Sequence, residues 1–199
     1  MSRKDLTLPI GIALTVAILA STALHAGVLG ARPSNALRAP TDAATMKQKV
    51  DAITRFGERP TPQSHHTTVT EDEVNAYLAA DGFGQLPAGI TEPAVSILGA
   101  GRISGRAVVD YGAFRKQKNP TGFDPLSLLG RLQVTVVGTL KTGGGAGIFE
   151  IESGTVAGVS VPKALLQEIL TYAGLDTSFA LPAHIREIQV ERGQAVIVQ

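Results

Sequence analysis

Apolar and polar positions change period several times along the chain, and each change marks an element. Over residues 43–56, Met46, Val50 and Ile53 recur at helical spacing, and Gly57, Pro60 and Pro62 then end the pattern. In "VTEDEVNAYLAADG", Thr70 and Glu73 have the spacing of a capping box, and Val69 and Val74 occupy the hydrophobic-staple positions. With Val74, Tyr77 and Leu78 as its apolar stripe, this stretch predicts a helix from Glu71 to Ala80, closed by Gly82.

The period then falls to two. Val95 and Ile97 share a strand face; after the turn "GAG", Ile103, Gly105, Ala107, Val109 and Tyr111 alternate with Arg102, Ser104, Arg106 and Asp110. A second hairpin places Leu132, Val134, Val136 and Leu140 opposite in sense to Arg131, Gln133, Thr135, Thr139 and Lys141, with Val137 interrupting the polar side. It turns at Gly143, Gly144 and Gly145 and returns through Phe149 and Ile151, with Glu150 and Glu152 outward. Pro162 and Gly174 bracket a second helix over residues 163–173, striped by Leu165, Leu166, Ile169, Leu170 and Ala173. The last segment alternates through Ile188 and Val190, turns near Arg192 and Gly193, and ends in an apolar strand.

These elements predict an α+β domain: a curved antiparallel sheet of about six strands packed against two amphipathic helices, each sheet having one dry face. The phrase "LPAGITEPAV" at 86–95 returns as "LPAHIREIQV" at 181–190, each time after a helix and a glycine and before a hairpin. Proline holds φ and biases the preceding residue to extended geometry, so Leu-Pro can carry the chain from helix to sheet with its leucine buried. Chance or shared loop geometry explains the repeat as well as true duplication does.

Ahead of the domain, residues 6–30 carry no formal charge and follow the basic start Ser2-Arg3-Lys4. They are expected to form a membrane-targeting helix, either a signal cleaved after the small residues Ser21-Thr22-Ala23 or a retained anchor, which the length of the run favours. The chain thus divides into 1–30, targeting segment; 31–68, a linker carrying the 43–56 helix; and 69–199, the α+β domain. Basic residues before the apolar run place the domain outside the cytoplasm, anchored in the inner membrane or released to the periplasm.

Composition removes several chemistries. Lys plus Arg number 18 against 17 for Asp plus Glu, with no long run of one sign, so no nucleic-acid partner is expected. Cysteine is absent, which excludes disulfides, thiolate metal sites and thiol nucleophiles. His65 and His66 lack a third ligand at a diagnostic spacing and read as solvated loop residues; no metal or cofactor is expected. "GAGRISG" and "GGGAG" sit between strands, without the following helix of a phosphate loop. Glu150 and Glu152 read as polar-face residues, and Thr70-Glu71-Asp72-Glu73 as a cap. No serine lies in a nucleophile elbow, so the protein is expected not to be an enzyme; a hydrolase would need a cleft joining His184 to a serine or carboxylate.

Three stretches, "VTEDEVNAYL" at 69–78, "ISGRAVVD" at 103–110 and "GVSVPKALLQEIL" at 158–170, resemble small membrane-anchored bacterial proteins related to the tubular lipid-binding (TULIP-like) class, over Val69 to Val198. The resemblance implies a bent sheet wrapped against helices around an apolar groove for acyl chains or another hydrophobic ligand. The candidate ligand-binding residues are Tyr77, Val95, Ile103, Val109, Leu132, Val134, Val136 and Phe149, closed over by Leu165, Leu166, Ile169 and Leu170. The same set also describes the ordinary core of an α+β domain.

In "YGAFRKQKNPTGFDPLSLLG", Phe114 and Phe123 beside Arg115, Lys116 and Lys118 suit contact with an anionic bilayer surface, or a packed loop with a basic tip. The expected function is therefore binding or transfer of a lipid or hydrophobic small molecule in the cell envelope. The alternative is a structural or assembly protein that binds another envelope protein.

Overall fold

The computed structural model describes residues 39–59, 61–80, 89–110, 130–164, 166–167 and 177–199. Helix α1 spans Ala39–Glu58, extending the expected helix at both ends. Its stripe of Met46, Val50 and Ile53 is fully buried, so it packs onto the domain. Helix α2 spans Glu71–Ala80 and begins as its local sequence dictates. The Thr70 N–H donates to Glu73 Oε2 at 2.9 Å, and the Glu73 N–H donates to Thr70 Oγ1 at 3.3 Å. Val69 and Val74 are both buried beneath this box.

The strands are β1 His66–Thr70, β2 Ile90–Gly99, β3 Arg102–Asp110, β4 Arg131–Gly143, β5 Ala146–Val156, β6 Val159–Ser160, β7 Ser178–Ala180, β8 Glu187–Glu191 and β9 Gln194–Val198. They form two antiparallel sheets. One has the order β1-β9-β8; the other has the order β2-β3-β4-β5-β6, with β7 also paired to β5. The reading of one sheet is thus corrected: the final hairpin belongs with β1. His66, Thr67 and Thr68, read as linker, form most of that strand, because Thr67 and Val69 turn inward while His66 and Thr68 face out.

Side chains of α2 hold the edge of β2, and backbone bonds, with the Thr142 hydroxyl, join the two sheets. Glu71 Oε2 accepts the Ile97 N–H at 2.7 Å, and Asn75 holds both backbone groups of Val95 at 2.8 Å. The Gly193 N–H donates to the Ile97 carbonyl at 2.8 Å, and Leu98 bridges to Arg192. On β8, Thr142 Oγ1 accepts the Ile188 N–H at 2.8 Å and donates to its carbonyl at 3.2 Å. One core runs between the helices and both sheets, including Tyr77, Ile97, Ile151, Ile185 and Ile197.

A β-bulge interrupts the β4–β5 ladder: Val137 faces Ser153, but the next residue, Gly138, faces Ile151. The extra residue in β5 resets its alternation, so Gly147, Phe149 and Ile151 point inward before the bulge and Gly154 after it. The second sequence-predicted helix begins where expected: residues 163, 164, 166 and 167 are helical, and its remainder lies outside the described residues. Gly82 and the first Leu-Pro-Ala phrase also lie outside them. In the second phrase Leu181 is buried, as its role requires, but it follows β7 and not a helix.

Candidate functional site

The inner face of the six-stranded sheet is built of cross-strand rows. Ile97, Ile103, Gly138 and Ile151 form one row; Val95, Gly105, Val136 and Gly154 form the next. Then come Ala107, Val134, Val156 and Val159, and beside them Ile90, Val109 and Leu132. Ile97, Ile103 and Ile151 of the first row and Val95 and Val136 of the second belong to the core, while Gly105 between the last two faces open space. Leu166 closes the second row, since a Cβ on Gly154 would stand 2.8 Å from its side chain.

Exposure changes along this face while its chemistry does not. Ile97 and Ile151 are buried, Val95 and Val136 nearly so. Ala107, Val109, Leu132, Val134 and Val156 are half-buried, and Val159 is 67% exposed. An apolar surface therefore runs from a filled core to an accessible end. No polar side chain interrupts the inward positions of these rows.

Of the sequence-derived ligand residues, Tyr77, Val95, Ile103, Val136, Phe149 and Leu166 are brought together in the buried core. Val109, Leu132 and Val134 lie at the accessible end. Leu165, Ile169, Leu170, and the bilayer candidates Phe114, Arg115, Lys116, Lys118 and Phe123, lie outside the described residues. Val156 and Val159 join the row without having been singled out. Their signal was the pair of valines flanking Ala157-Gly158, but the bulge hides which face Val156 takes.

The opposite face carries paired charges among apolar side chains that include the exposed Leu98 and Ile148. Arg102 meets Glu152 at 3.0 Å, Lys141 meets Glu150 at 2.7 Å, and Thr139 Oγ1 donates to Glu152 at 2.5 Å. The Thr139 hydroxyl foremost, with Arg102, holds the Glu152 carboxyl below its ordinary value. Each acid thus has its own cross-strand partner. Both glycine-rich stretches are hairpin turns, β2–β3 and β4–β5. No cluster of three potential metal ligands occurs among the described residues.

An open cleft of about 640 Å³ lies between the end of α1 and the Pro182–Ile185 turn. Gly57 allows this approach: a Cβ there would lie 2.6 Å from the Ala183 backbone. Ala183 and His184 have φ of 51° and 56°, and the Ile185 N–H donates to the Pro182 carbonyl at 3.0 Å. His184 is exposed on the wall of this cleft.

No family model matches the chain, and no curated protein matches it. Among solved structures, the crystal structure of lipopolysaccharide binding protein is similar over 67% of this chain, at 15% identity and a TM-score of 0.22. The match spans 40% of that structure's length. The chain is thus an α+β protein with two described helices and two antiparallel sheets, the larger of six strands, and it is weakly similar to a lipopolysaccharide-binding protein.

Proposed function

We propose that this protein is a non-enzymatic envelope module that binds or transfers a lipid or other hydrophobic ligand along the accessible end of the sheet's inner face. The observation that carries this reading is the unbroken apolar row from Ala107 through Val134 and Val156 to the exposed Val159. Burying a methylene contributes about 0.8 kcal/mol. About ten methylenes therefore supply about 8 kcal/mol, the scale of micromolar binding before association costs are subtracted.

The uncharged run at residues 6–30 supports a place in the inner membrane, or passage through it, with the domain on the extracytoplasmic side. Assembly through strand addition has less support, because side chains and turns already occupy the outward groups of Val95, Ile97 and Ile188. The test is native mass spectrometry of the full chain released from membranes in mild detergent. Retained lipid is expected; repeated absence of lipid, with cross-linking in cells to one stoichiometric protein, overturns the reading in favour of assembly.

A further inference from the structure

The β5–β6 turn combines features that the groove does not require. Val156 pairs with Val159, so Ala157 and Gly158 alone make the turn, with φ of 51° and 80°. Ala157, Gly158, Val159 and Ser160 are all exposed, as is Pro162. Between Glu152 and Lys163 the sequence carries no charge, and Lys163, also exposed, is a cation. Val159 is the most exposed large apolar side chain among the described residues. A soluble hairpin tip ordinarily carries polar residues at such positions.

The direction of the chain shows what this tip faces. Glu71 meets Ile97 and Asn75 meets Val95, so α2 runs against β2 and its last turn points toward Ile90. Ile90 shares a row with Val109 and Leu132, beside the row that ends at Val159. Lys49 of α1 pairs with Glu73 at 2.7 Å, while Ile53 meets Gln199 at the far end of β9. Helix α1 therefore runs opposite to α2, and its first residue, Ala39, lies toward the end that carries the tip. Residue 39 is also where the chain arrives from the uncharged run at residues 6–30.

We propose that the β5–β6 tip, residues 157–160, docks on the surface of a lipid bilayer, with Ala157 and Val159 among the acyl boundary and Lys163 at anionic headgroups, while Val161 packs back on the core. The tip and Ala39, the first residue of α1, then face the membrane from the same end of the domain. This inference goes beyond the ligand reading, since a tip can dock whether or not the groove is filled.

The absence of cysteine makes the test direct. The full chain carrying Val159→Cys, Ser160→Cys or, at the opposite end in β5, Ala146→Cys is labelled with an environment-sensitive fluorophore. Each is reconstituted in phosphatidylcholine–phosphatidylglycerol vesicles with and without doxyl-labelled lipid. A blue shift and doxyl quenching at 159 and 160, with neither at 146, are expected. Unquenched labels at 159 and 160 in protein with an unchanged circular dichroism spectrum overturn the proposal, as does equal quenching at 146. Lipid retention is read on the unsubstituted chain: lipid retained there with water-exposed labels defeats the docking inference alone, and quenched labels with no lipid retained there defeat the ligand reading alone.

Discussion

The Asn75 carboxamide of α2 takes the place of a neighbouring strand for Val95: its Oδ1 accepts the Val95 N–H and its Nδ2 donates to the Val95 carbonyl, both at 2.8 Å. One side chain thereby completes the backbone pairing of an edge residue and fixes the helix against the sheet. Replacement by alanine leaves two partly buried backbone groups without partners, at a cost of about 2 kcal/mol. Asn75→Ala is expected to lower the urea midpoint by the equivalent amount at unchanged m. Its opened edge should also increase self-association, measurable by light scattering.

Glu73 joins three elements, accepting from Thr70 N–H and from Lys49 Nζ at 2.7 Å through each carboxylate oxygen. Burial by itself raises its pKa, but the hydrogen bonds from Lys49 and Thr70, together with the Lys49 charge, outweigh it and hold the carboxyl below its ordinary 4.5. A folded-state pKa below the unfolded one contributes stability that is present above the unfolded value and lost as pH falls through the folded value. Stability should therefore decline as the solution is taken below about pH 4.3. Glu73→Gln should be less stable at neutral pH and show a shallower acid decline, as read from urea titrations across pH 2–7.

Gly105 and Gly154 flank Val136 in one row, yet their surroundings differ. A Cβ on Gly154 would meet the Thr135 carbonyl oxygen at 2.7 Å and Leu166 at 2.8 Å; at Gly105 nothing lies within 4 Å. Gly154→Ala should destabilise by about 1–3 kcal/mol through overpacking. Gly105→Ala should stay within about 0.5 kcal/mol of the parent. Thermal unfolding of the two variants side by side checks the contrast.

Leu132 is half-buried at the accessible end, and Leu140 is buried farther along the same face of β4. Leu132→Gln should reduce retained lipid with a stability change below about 1 kcal/mol, as expected for a site outside the packed core. Leu140→Ala should cost about 2–5 kcal/mol and leave lipid per folded molecule unchanged. Equal loss of lipid in both variants, measured by mass spectrometry, would place the ligand elsewhere.

Features set by neighbouring residues were legible before the structure. The Thr70–Glu73 box, the Val69–Val74 staple, the stripe of α1 and the two glycine turns each depend on contacts within a few positions, so residue type and spacing suffice. The candidate site was partly legible for the same reason: Val109, Leu132 and Val134 followed from alternation. Val156 did not, because the bulge beside Gly138 resets the face of every later residue in β5.

The sequence by itself thus determined the cores of α1 and α2, the β2–β3, β4–β5 and β8–β9 hairpins, where α2 begins, and that an apolar sheet face had to be covered, but not β1, β6 or β7. Tertiary structure alone decided how that cover is shared out. β1 is polar and short, and becomes a strand only by pairing with β9, which lies more than a hundred residues away along the chain. Asn75 and Thr142 look like ordinary surface residues until their partners Val95 and Ile188 are in place. Burial, too, is a property of what arrives from elsewhere: identical alternation leaves Leu140 in the core, where β8 packs against β4, and Leu132 half-buried.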